Sequence, residues 1–137
     1  MSKYIQERAK PPHPIIMEVV QTAPNQILLT YDVPTDPVSA TNIWNYWIRT
    51  NINPPITKGI SSEGMDYGLM DTNSLRSDLA VVQPYDNSKM RYTITFRNRA
   101  VPGLLHIVLP CYVNVEGSTG YAGTNWNEKS RNYFISY

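Results

Sequence analysis

The sequence predicts an all-β fold, an antiparallel sandwich of about seven strands, on three observations. Short apolar runs recur between turn residues every 8–12 positions or so, which is sandwich spacing. Two of these runs alternate apolar and polar residues with period two, and no long segment keeps a 3.6-residue period, which argues against a βαβ arrangement. Ten Tyr and three Trp favour strands over helices, while eleven Pro and seven Gly supply the punctuation.

Residues 1–14 read as an extended leader or linker, because Pro11, Pro12 and Pro14 keep the chain out of helix. Residues 15–137 read as one domain. A first strand covers Ile15 to Val20, and Thr22-Ala23-Pro24-Asn25 turns the chain. Gln26 to Val33 follows, with Ile27, Leu29, Tyr31 and Val33 on one face and Leu28 as the fault in the alternation. Asp36-Pro37 opens a helical turn, with Asp36 as N-cap and Pro37 at the first helical position. Ile43 to Thr50, with Trp44, Tyr46, Trp47 and Ile48, suits a strand that Asn53-Pro54-Pro55 ends.

Ile56 to Asp78 is broken by Gly59, Gly64 and Gly68; it predicts one weak strand, a long connection and a helical turn near Ser74 to Leu79. Met90, Tyr92, Ile94 and Phe96 then alternate with Arg91, Thr93, Thr95 and Arg97. Val101-Pro102-Gly103 turns the chain. From Leu105 onward, Ile107, Leu109, Cys111, Val113 and Val115 share one parity, which predicts that they face the core. His106, Tyr112, Asn114 and Glu116 take the other parity, and Pro110 marks an edge or bulge. A Gly-rich loop from Gly117 to Trp126 precedes a closing strand over Arg131 to Tyr137. This strand set reads as an immunoglobulin-like (fibronectin III-like) sandwich.

Composition narrows the function. A 137-residue domain buries roughly two-thirds of its unfolded surface, so a core forms without staples. The formal net charge of +1 supplies no field for nucleic acid or an anionic membrane. Cys111 is the only cysteine, so no disulfide forms within the chain. Met1 to Lys10 lacks the apolar run of a signal peptide, and no apolar stretch reaches the roughly 20 residues of a membrane span.

Reactive constellations are scarce. His13 and His106 are the only histidines. His106 and Cys111 lie five positions apart, so in one strand they face opposite sides and form no couple. Glu63, Asp66, Asp71 and Asp78 share one loop but lack the regular spacing of a calcium site. Arg91, Arg97 and Arg99 read as a solvated outer face. No nucleophile, base or metal-ligand set assembles, so the chain is expected to be no enzyme and to carry no cofactor. The aromatics are the one feature with a functional reading. Trp44, Trp126 and Tyr121 are the candidate ligand-binding residues, as a platform for sugar rings; the competing reading is that they pack a sandwich core.

The stretch Asp36-Pro37-Val38-Ser39-Ala40-Thr41-Asn42-Ile43-Trp44-Asn45-Tyr46-Trp47-Ile48 resembles a pattern in bacterial Ig-like domains of S-layer and other cell-surface proteins, close to D-P-x-S-A-x-N-x-x-N-Y-x-I. Cys111 to Gly117, with Ala122-Gly123-Thr124-Asn125 after it, looks like their penultimate strand and the loop beyond. Cys111 stands where such domains usually have Tyr, and Gly123-Thr124-Asn125 replaces Gly-Asn. The resemblance implies a non-catalytic structural, spacer or adhesion module of a cell-surface or secreted bacterial protein. Its partners would be neighbouring domains of a longer chain, a polysaccharide or another surface protein. A carbohydrate-binding module and a virion-surface Ig-like decoration domain are the alternatives on the same fold.

Overall fold

The alternating runs become strands of two antiparallel sheets in the computed structural model, which describes residues 11–50, 60 and 79–137. The strands are β1 (Ile16–Ala23), β2 (Gln26–Tyr31), β3 (Tyr46–Thr50), β4 (Ala80–Pro84), β5 (Arg91–Phe96), β6 (Leu105–Pro110) and β7 (Tyr133–Ile135). One sheet has the order β1-β2-β5-β4 and the other β3-β6-β7. That order matches the two sheets of an immunoglobulin constant-type sandwich. Buried side chains from both sheets form a single cluster, including Ile16, Leu29, Ile94 and Phe96 from the first and Ile48, Val108 and Phe134 from the second.

β2 and β5 follow the predicted alternation. Ile27, Leu29 and Tyr31 point inward, as do Tyr92, Ile94 and Phe96. Val33 lies beyond the end of β2. Leu28 is paired with Thr93 of β5 and Val20 of β1 on the outer face; Gln26 Nε2 donates to Thr95 Oγ1 at 2.9 Å there. β1 runs to Ala23, further than expected, and only Pro24 and Asn25 make the turn. Its register slips between Ile16 and Glu18, so one extra residue opposes β2. This bulge lets both Ile16 and Val19 face inward although they differ by three positions.

β4 was not anticipated at Ala80–Pro84. It is a five-residue edge strand whose only inward side chains are Ala80 and Val82, too few to set up a readable period. The strand, the helical turn and the acidic cluster expected between Ile56 and Leu79 fall outside the described residues, apart from Ile60 and Leu79 themselves.

The stretch from Ile43 to Thr50 is a strand only in its second half. Asn42 accepts from the Trp44 amide through its side chain, which closes a 3₁₀ turn over Ile43–Asn45. β3 then points Tyr46, Ile48 and Thr50 inward. Neither Trp44 nor Trp47 fills the core. Its aromatics are Tyr31, Tyr46, Tyr92, Phe96 and Phe134, with Trp126 packed at the margin.

β6 reverses the predicted facing. His106, Val108 and Pro110 point inward, while Leu105, Ile107 and Leu109 are half-buried on the outer face. Pairing decides the matter: the inward residues of β3 lie opposite Pro110, Val108 and His106, and Phe134 of β7 also lies opposite His106. The phase changes where the strand ends. Pro110 and Cys111 are consecutive and both buried, and Tyr112 has a φ of 64°, a left-handed conformation uncommon outside glycine. After this kink Cys111 and Val113 face inward, as expected, although the strand before them does not. β7 covers only part of Arg131 to Tyr137, because the Arg131 amide turns aside to donate to Met17 O of β1.

Candidate functional site

The stretch that carries the family resemblance is held by a dense set of hydrogen bonds. Asp36 caps a single helical turn, α1 (Pro37–Ala40), by accepting from the Ser39 amide at 3.1 Å. Ser39 Oγ accepts from the Asn114 amide at 2.9 Å. Asn45 Nδ2 donates to Ser39 O, and Asn45 O accepts from the Cys111 amide. Tyr46 Oη donates to Ala40 O at 2.6 Å and lies 2.8 Å from Tyr31 Oη in the opposite sheet. Burial raises the pKa of both phenols, so they stay neutral hydrogen-bonding groups.

The second half of the pattern closes on the first. Asn114 O accepts from the Asp36 amide, and Asn114 Oδ1 accepts from the Tyr121 amide. Asn125 is fully buried; its Nδ2 donates to Pro14 O and Val113 O, and its Oδ1 accepts from the Val113 amide. Thus Asp36, Ser39, Asn42, Asn45, Tyr46, Asn114 and Asn125 each serve backbone groups of their own chain. A buried amide or carbonyl without a partner is costly, and these side chains supply the partners in a region that has little ladder.

The candidate aromatics do not form one platform. Trp44 sits on the 3₁₀ turn and is 54% exposed. Tyr121 is 6% exposed; its hydroxyl donates to Thr124 O, and its ring stacks on His13 at 4.2 Å. A Cβ at Gly123 would lie 2.7 Å from that hydroxyl, so glycine is the residue that fits there. Trp126 is half-buried against the core. Sequence reasoning passed over a different pair, Trp47 and Tyr112, whose rings lie 6.4 Å apart. The signal was available, since both have outward parity beside inward neighbours. They continue into an apolar outer face on β3-β6-β7, where Trp47 opposes Leu109 and Ile107 opposes Tyr133.

Groups with chemical potential are muted by their surroundings. Burial pushes the Cys111 thiol up to about 11, which keeps it protonated. Burial lowers the pKa of His106, opposed by its contact with Leu104 O. Lys89–Glu116 and Arg91–Asp86 are ion pairs at the surface. Among the described residues no group of three His, Cys, Asp or Glu side chains is placed to hold a metal, and no helix is long and apolar enough to cross a membrane.

No protein-family model matches the sequence, and no curated protein sequence does. Solved structures do match. A structure of surface layer protein SbsC, domains 1–6, is 18% identical with a TM-score of 0.54, over 90% of this chain and 14% of that one. The N-terminal part of the bacterial S-layer protein SbsC gives 18% and 0.55, over 93% of this chain and 26% of that one. The chain therefore spans about a quarter or less of the length of these structures, and its fold is similar to that of domains within a bacterial S-layer protein.

Proposed function

We propose that this chain is a non-catalytic structural module of a bacterial cell-surface protein, acting as a spacer or adhesion unit between neighbouring domains. One observation carries the reading. The polar residues of the Asp36 to Tyr46 stretch, which a ligand site would leave free, are consumed in bonding the chain to itself. Such a network holds a crossover between two sheets and engages these side chains with backbone rather than with a ligand. The likeness in fold to S-layer protein domains, over a small share of their length, supports a place within a longer surface chain.

The test uses the full-length protein in its own cell. Impermeant biotin reagent and external protease should reach the domain on intact cells, and small-angle scattering should resolve it as one bead of an extended array. Labelling only after lysis would defeat the surface assignment. A second reading, carbohydrate binding, is favoured by the exposure of Trp44, with Trp126 beside the core as a lesser candidate. Tyr121 would contribute little, its ring being covered by His13. Titration with cell-wall polysaccharides should then change Trp fluorescence in the parent and not in Trp44→Ala; an unchanged parent spectrum removes this reading.

A further inference from the structure

The first strand and the last segment of the domain are bonded to each other along one seam. They run side by side in the same direction, with Glu18 of β1 facing Arg131 in a parallel bridge. Ile16 N donates to Asn125 O at 2.7 Å, Arg131 N to Met17 O at 2.9 Å and Val19 N to Arg131 O at 3.1 Å. Further along, the Gln21 side chain continues the seam. Its Nε2 donates to Ser136 Oγ at 3.2 Å, and its Oε1 accepts from the Tyr137 amide at 3.1 Å. At the other end, Pro14 O accepts from Asn125 Nδ2 at 2.8 Å. The seam ties the two sheets together, since β1 belongs to the sheet of β2 and β7 to that of β6.

The order of these bonds fixes how the seam meets a pull. The partners advance together, from Pro14 and Ile16 beside Asn125, through Met17 and Val19 beside Arg131, to Gln21 beside Ser136 and Tyr137. The backbone therefore enters at one end of the seam and leaves at the other. Tension on the residues before Pro14 and on Tyr137 draws the two strands past each other along their length. Interstrand bonds run across the strands, so that load falls on all of them at once and the set must give way together. A pull on both strands from the same end would open the bonds one at a time. Cover adds to this. Ile16, Val19, Asn125 and Ser136 are all buried, so water has little access to replace a bond as it stretches.

We propose that this seam is a shear clamp, through which the domain bears tension passed along a longer chain. That use rests on the spacer reading, but the two fail separately: the clamp belongs to the domain by itself, whereas surface labelling of whole cells decides the spacer. Forced unfolding is governed by the unfolding barrier and not by equilibrium stability, so the clamp shows itself under load rather than in urea.

The experiment holds the full chain between DNA handles in optical tweezers at constant force, in two geometries. In the first, the handles join its two termini. In the second, one handle moves to Thr22→Cys, an exposed position near the far end of β1, and the other stays at the C-terminus. The native thiol, Cys111, is buried and does not compete for the handle. Both strands are then pulled from the same end of the seam. At equal force, unfolding should be at least about tenfold slower in the end-to-end geometry. Equal lifetimes in the two geometries would overturn the clamp.

Two variants locate the load. Gln21→Ala removes two bonds of the seam, while Gln26→Ala removes bonds to Thr22 and Thr95 that lie outside it. Both side chains are only half-buried, so both variants should fold. Pulled end to end, Gln21→Ala should unfold several-fold faster than the parent, and Gln26→Ala within about twofold of it. A Gln26→Ala loss as large as that of Gln21→Ala would sink the idea, because the load would then not fall on the seam.

Discussion

β5 and β6 carry almost equally regular sequences, yet one turned its apolar parity inward and the other outward. In β5, Tyr92, Ile94 and Phe96 are all buried and Arg91, Thr93 and Thr95 face out. In β6, Leu105, Ile107 and Leu109 stand on the outer face while His106 is completely buried. The difference lies in the neighbours. β5 sits between β2 and β4, whose inward residues Ile27, Leu29 and Val82 oppose its own inward Tyr92 and Ile94, so its own pattern and its pairing agree. β6 sits between β3 and β7, whose inward residues Tyr46, Ile48 and Phe134 dictate its register, and whose outer residues Trp47, Tyr133 and Ile135 tolerate an apolar row. Alternation states that a strand has two faces; the partner strands choose which is inside.

The largest expected effect sharpens the β5 side. Ile94 is fully buried between β2 and β4, opposite Ile27 and Val82. Ile94→Ala removes three methyl or methylene groups and leaves a cavity, which should cost about 2–5 kcal/mol. Urea unfolding should show a lower midpoint at an unchanged slope. A loss below about 1 kcal/mol would mean that β5 is not central to the core.

The second effect tests what holds β3 in place and so sets the facing of β6. Tyr46→Phe deletes the hydroxyl that bonds Ala40 O and Tyr31 Oη, and leaves the Tyr31 hydroxyl buried with one partner fewer. The expected cost is about 1–3 kcal/mol. Tyr31→Phe should cost less, since Tyr46 keeps its bond to Ala40 O. A reversed ranking of the two variants would show that the cross-sheet bond, and not the bond to α1, carries the energy.

Cys111 comes next, because it lies just past the kink that restores inward facing. Its thiol, pushed up to about 11 by burial, should stay protonated and unlabelled by a disulfide reagent at pH 8, then react fully in denaturant. Cys111→Ser should cost about 1–3 kcal/mol, as an unsatisfied hydroxyl in an apolar site, and Cys111→Ala should cost less. Rapid native labelling would place the kink elsewhere.

Much of this fold was legible in local patterns. Asp36-Pro37 announced α1 because capping chemistry is local, and β2 and β5 announced themselves by period. The bulge in β1 and the phase change at Pro110 to Tyr112 were not legible, since both arise from hydrogen bonds to residues more than ten positions away. The candidate site was less legible still. Trp44 and Tyr121 are both candidate ligand-binding aromatics in the sequence, with core packing as the competing reading; Trp44 is exposed and Tyr121 is buried, and nothing in a Gly-rich loop foretells that His13, over a hundred positions earlier, stacks on the Tyr121 ring. Pro110 reads in the sequence as an edge or a bulge, but it is the last residue of the central strand β6, in regular register with Tyr46, and the phase changes just beyond it.

The smallest expected effect is the most direct test of that facing. Ile107 and Val108 are adjacent in β6, and the apolar alternation of the sequence makes Ile107 the core residue. The fold makes it Val108, which is fully buried, while Ile107 is half-buried on the outer face between Arg49 and Tyr133. Threonine is the useful probe, because it keeps the β-branched shape and strand preference of both residues and changes mainly polarity. Val108→Thr puts a hydroxyl among apolar side chains of the core and should cost about 1–3 kcal/mol. Ile107→Thr gives up part of an apolar contact with Tyr133 but leaves its hydroxyl within reach of water, so its cost should stay below about 1 kcal/mol. The two unfolding midpoints, measured side by side, rank the two faces without reference to any other part of the molecule. If Ile107→Thr proves the more damaging, β6 has the facing its own alternation suggests. His106 would then lie on the outer face, and its ring could not stack on Phe134 inside the core.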